Sequence, residues 1–235
     1  MAFALLQSDG EADTTFTFPN PLASASLVVI AVRWEGATGV NNATISQSGG
    51  GAFTMLTRVD TSGGDNHGQI GYRFLTGGLN IFDITWPASA VFIEAIGAEF
   101  SYTDTPTFDT SNTGSGSGTS LASGSISLDA SAADWLAVGY GTSYSSVQTY
   151  SNRNINGVAA AGSQDGAEHG NAPYATLFWR LLSTTGFTGG TATCTCTVSD
   201  AWICNVAAFK SGTAAGPISN QPETLHVIRS GTRLR

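Results

Sequence analysis

Only 11% of the 235 residues are charged against 41% hydrophobic, and 29 glycines, 29 threonines and 26 serines supply much of the remaining polarity. Without Lys/Glu-rich stretches of helical period, this mixture argues against helical bundles and coiled coils and predicts an all-β fold of short strands and small-residue turns. A formal charge of −8 repels phosphate backbones, so no nucleic-acid partner is expected for the body.

In chain order, Met1 to Leu6 is apolar only briefly before Asp9, Glu11 and Asp13, so no signal peptide is read. No apolar run exceeds the six residues of Leu27 to Val32, far short of the ~20 that span a bilayer as a helix, and no membrane partner is expected. First-half strands are predicted at Thr15–Phe18, Leu27–Trp34, Phe53–Val59, Ile70–Leu75, Ile81–Trp86 and Val91–Tyr102, bounded by glycine and proline turns. Residues Thr103 to Ser120, with Gly-Ser-Gly-Ser-Gly at 114–118, read by composition as a flexible linker. Second-half strands are predicted at Ser123–Leu128, Trp135–Tyr140, Val147–Tyr150, Ala175–Leu182, Ala192–Val198 and Trp202–Phe209. Phe82, Ile84 and Trp86 alternate with Asp83 and Thr85, as Cys194, Cys196 and Val198 do with Thr195 and Thr197, the two-residue period of half-buried strands.

The halves repeat. Ala25–Val32 is answered about 108 residues later by Ala133–Tyr140, and Tyr72-Arg73-Phe74-Leu75 is answered by Trp179-Arg180-Leu181-Leu182 at a spacing of 107. The expected organisation is a β-sandwich of two similar halves of about six strands each: residues 1–103, a linker at 104–120, a second half at 121–210, and an extended tail at 211–235. One pseudo-symmetric sandwich or two tightly abutting lobes would bury more than separate halves. The tail carries Arg229, Arg233 and Arg235 against Glu223, a formal +2 that leaves the body at −10. It has no core of its own, and Leu225, His226, Val227 and Ile228 form a short strand-former suited to adding onto a neighbouring subunit while the three arginines pair with acidic surface.

No catalytic, phosphate-binding or cofactor motif is found. The only lysine, Lys210, lacks the glycine frame of a P-loop, and Glu94 and Glu99, five apart on one strand, face opposite sides. His67 and His169 occupy matching places before the aromatic-Arg strands. Each could join an acid–His pair, but without further ligands an exposed turn is the preferred reading and no metal is expected. Cys194, Cys196 and Cys204 read as small core thiols of a protein made in a reducing cytoplasm, a bridge from Cys204 to Cys194 or Cys196 remaining open in oxidising surroundings. Tyr140, Tyr144 and Tyr150, in a Ser/Thr/Gly-rich turn, are the best-exposed aromatic candidates for stacking on sugars, with His67 and His169 at neighbouring loop tips.

The echo of Leu27–Trp34 in Trp135–Tyr140 and of Tyr72-Arg73 in Trp179-Arg180 resembles the Gly/Ser/Thr-rich, two-lobed β-sandwich proteins of tailed bacteriophages. That resemblance implies jelly-roll-like lobes and a non-enzymatic virion component, such as a capsid decoration, head-fibre or tail protein. It implies synthesis in the host cytoplasm, with copies of itself or other virion proteins as partners. The alternative is a lectin-like head for host surface polysaccharide.

Overall fold

The computed structural model describes residues 3–36, 41–128, 134–144, 148–166, 173–182 and 189–211. The first half contributes β1 (Phe3–Glu11), β2 (Thr15–Thr17), β3 (Ser26–Glu35), β4 (Thr44–Gln47), β5 (Thr54–Met55), β6 (Val59–Asp60), β7 (Asn66–Leu75), β8 (Ile81–Thr85) and β9 (Val91–Tyr102). The second contributes β10 (Thr107–Ala122), β11 (Trp135–Ser143), β12 (Tyr150–Ile155), β13 (Val158–Ala159), β14 (Gly162–Asp165), β15 (Ala175–Leu182) and β16 (Ala192–Lys210). The protein is an all-β sandwich whose strand pairs are antiparallel.

In the first half an inner sheet ordered β1-β9-β3-β7-β5, with β6 also on β7, faces an outer sheet ordered β2-β8-β4. Ala52 bridges to Ser46 of β4 just before β5 pairs with β7, so one irregular stretch joins both sheets. This is jelly-roll order. The second half repeats it with fewer, longer strands. The first part of β10 and the last part of β16 belong to the inner sheet. Ser120–Ala122 and Thr193–Thr195 then pair in the outer layer, where Tyr150–Ile155 also pairs with Cys196–Ala192.

Local chemistry explains the difference in strand number. Pro87 cannot donate to a ladder and separates β8 from β9, whereas Ser199 and Asp200 carry β16 through the equivalent corner without a break. The stretch expected to be a flexible linker is instead β10. Its glycines answer to two different demands: a Cβ on Gly116 would lie 2.5 Å from the Trp202 ring, whereas Gly118 has open space around it but takes φ +116° at the register shift where β10 changes layers.

Inner sheet packs on inner sheet. Leu27, Val29, Ala98 and Phe100 of the first half meet Leu136, Val138, Trp179 and Phe209 of the second in one continuous core, and an outer core flanks it on each side. Val29 lies between Tyr72 and Ala98 as Val138 lies between Trp179 and Ala207, so the spacing from β3 to β11 is 109 residues, one more than sequence alignment suggests. The extra residue matters, because a slip of one would turn the buried face outward.

Of the expected strands, Val91–Tyr102 and Ala175–Leu182 have the expected bounds, while Phe53–Val59 is reduced to β5 and β6. Ser123–Leu128 forms only a single bridge, Ile126 to Gly190. The tail residues Leu225, His226, Val227, Ile228, Arg229, Arg233 and Arg235 lie outside the described residues.

Gly97 of β9 lies beneath the Phe16 ring, where a Cβ would come within 2.5 Å of Cζ. Gly97→Ala is expected to cost about 1–3 kcal/mol through overpacking, read as a lower denaturant midpoint at unchanged m-value.

Candidate functional site

At one end of the inter-sheet core the packing turns polar. Arg33 is buried in β3, and its cross-strand neighbour on β9 is Glu94, also buried. The Arg33 guanidinium donates to the carbonyls of Phe92 (2.7 Å) and Tyr144 (2.6 Å), forms an ion pair with Glu35, and lies 4.5 Å from the centre of the Tyr174 ring. One side chain thus ties the start of β9 to segments flanking β11 and β15. The Glu94 carboxylate abuts Gly166, where a Cβ would collide with it, and among the described residues no side chain donates a hydrogen bond to either of its oxygens. The Tyr174 backbone faces it and favours its charged form. Burial pushes this carboxyl up to about 8, against the pull of the Arg33 charge. Burial also raises the Tyr140 phenol, against the pull of Arg33 and of the neighbouring Thr142 side chain.

Three of the expected glycan contacts need correction. Tyr140 is fully buried because its position on β11 faces the opposing inner sheet. Tyr150 is buried in the outer core of the second half, its hydroxyl accepting from the Ser143 amide (3.1 Å) and donating to the Tyr174 carbonyl. His67 lies within β7 and not in an exposed turn. It stacks on Trp34 at 5.2 Å and is paired through Nδ1 with Asp60 (2.8 Å), while Nε2 lies 3.2 Å from the Gly36 carbonyl. Its acid partner is Asp60, brought across by strand pairing, and not the neighbouring Asp65. Tyr144 is partly exposed, and His169 lies outside the described residues.

Glu94 and Glu99 do face opposite sides of β9. Glu99 accepts from Gln7 Nε2 (2.6 Å) and the Ala23 amide (2.8 Å), towards the outer sheet. Cys194, Cys196 and Cys204 are free, buried thiols in one outer core, and burial raises all three above the usual thiol range. Among the described residues no group of three or more His, Cys, Asp or Glu is placed to hold a metal. A shallow recess opens between β10 and the first half, lined by Leu56, Ile70, Ser111 and Asn205; among the described residues the buried Oδ1 of Asn205 has no hydrogen-bond partner.

Sequence reasoning missed the Arg33 cluster. The available signal was a charged residue in phase with Leu27, Val29 and Ala31 on a mostly apolar strand, but its partners Phe92, Tyr144 and Tyr174 come from three distant segments that no local pattern connects.

No protein-family model matches the chain, and comparison with curated proteins gives no match either.

Phe92 is held at φ +47° at the bulge where β9 joins β3, with its side chain 53% exposed and its carbonyl fixed by Arg33. Bulky side chains rarely adopt this backbone. Phe92→Gly is expected to raise stability by about 1 kcal/mol by relieving left-handed strain, measured by equilibrium denaturation.

Proposed function

We propose that the chain is a non-enzymatic structural subunit of a tailed-phage-like particle, a capsid decoration or tail or fibre protein, joined to neighbouring copies or other particle proteins through its terminal segments. The observation that carries this reading is the stacking of two jelly rolls through one shared core, which makes a rigid double body from a single chain. Jelly rolls recur in viral capsid and lectin domains, so the fold is compatible with the resemblance noted in the sequence without specifying a function by itself.

Edge protection supports the same reading. A subunit crowded against its own copies must avoid indiscriminate strand pairing. On β1, Gln7 exchanges hydrogen bonds with the Asn20 backbone, and Ser8 donates to Gln164 across the rim. On β10, Gly124 donates to the Thr113 carbonyl and Asn112 to the Ser125 carbonyl. Contacts to neighbours then fall to specific segments, of which 225–235, basic against an acidic body, is the candidate. The polysaccharide-binding alternative is left with Tyr144 as its described, accessible aromatic, and the structural reading is therefore preferred.

Light scattering of the full chain beside a version ending at Ser211 tests the proposal. A defined oligomer that falls to monomer on truncation is expected. Equal masses for the two would count against assembly through the tail.

A further inference from the structure

We propose that Glu94 and Arg33 form a pH-sensitive latch between the two jelly rolls: with Glu94 protonated the latch is closed, and ionisation of Glu94 loosens the second-half segments packed on it.

Arg33 is already neutralised by Glu35 and further engaged by the carbonyls of Phe92 and Tyr144. Asp165, on β14, is occupied by Arg153 of β12. The remaining titratable groups around Glu94 among the described residues are the phenols of Tyr140 on β11, Tyr150 on β12 and Tyr174 before β15. No free cation in this set balances a second carboxylate. An ionised Glu94 would therefore be a buried negative charge offset only by the Tyr174 backbone and by an Arg33 already engaged elsewhere, an arrangement proteins avoid by keeping the group neutral.

Geometry says what would move. Glu94 belongs to the first half, but its head rests on Gly166 and beside Tyr174 of the second. Arg33, its cross-strand neighbour, holds Tyr144 and stacks on Tyr174. Both side chains act on segments that enter and leave β11, β14 and β15, at the end of the core away from the aromatic packing of Phe74, Phe108 and Phe209.

The chain contains its own control. At the equivalent cross-strand position of the second half, Thr142 pairs with Ile203, so a jelly roll of this design forms without an Arg–Glu pair there. The charged pair is thus extra to the fold, and local loosening on ionisation is a device the first half has and the second lacks.

The sign follows directly. A carboxyl raised above its unfolded value contributes stability that is fully present below the ordinary carboxylate range and is lost as pH rises through about 8. Hydrogen exchange, corrected for intrinsic rate, should show the amides of 141–144, 164–166 and 174–176 losing at least tenfold protection between pH 6.5 and 9, while β3 and β9 stay protected. Glu94→Gln should abolish that change, as should the double variant Arg33→Thr/Glu94→Ile, which copies the second half's pair. Infrared spectroscopy of the wild-type chain gives an independent reading should a variant fail to fold: a protonated-carboxyl band present at pH 7 should disappear by pH 9. Unchanged protection from pH 6.5 to 9, the same pH response in folded Glu94→Gln, or no protonated-carboxyl band at pH 7 would each overturn the latch.

Discussion

Burial of one inner sheet against the other is the contact on which the rest of the structure depends. Each half has an outer sheet to cover one face of its inner sheet, and the opposite face, carrying Leu27, Val29 and Phe100 or Leu136, Val138 and Phe209, would otherwise be exposed. A large apolar side chain gains about 1.5–3 kcal/mol on full burial, so leaving either face in water would remove a large part of the driving force for folding. The pairing also orders the layers and brings the rims together, β1 against β14 and β10 against β6.

The repeat is faithful in topology and broken in chemistry. Positions 109 residues apart are both apolar at Val29 and Val138 or Phe100 and Phe209, but Ala31 is answered by Tyr140, Arg33 by Thr142, Glu94 by Ile203 and Ile96 by Asn205. The departures gather at the polar end of the shared core. Buried polar groups are costly unless satisfied, and among the described residues several here are poorly satisfied, including Glu94, the Tyr140 hydroxyl and Asn205 Oδ1. Exposed Phe92, on strained backbone held by Arg33, belongs to the same end. A fold that repeats its apolar chemistry while varying its polar chemistry keeps its specific properties where the variation is.

Much of the architecture was legible because strand alternation and turn punctuation are local. The β class and the central strands follow from residues within a few positions of one another, and the repeat from such local patterns recurring 107–108 residues later. β10 was not legible: Ser-Gly-Ser-Gly has linker composition, and only the approach of Trp202 and residues 122–124 explains why glycine is needed in a paired strand. The site was less legible than the fold. Tyr140, Tyr150 and His67 look like surface residues when read beside Gly, Ser and Thr, yet the opposing sheet, the outer core and Trp34 cover them. Asp60 and His67, seven residues apart, meet because β6 and β7 pair antiparallel around a turn.

Differential scanning calorimetry on the full chain tests most directly whether the two jelly rolls depend on one another. A shared core predicts one cooperative transition with matching calorimetric and van't Hoff enthalpies. Two separated transitions, one for each half, would contradict the account, because each half would then be folding on a core of its own.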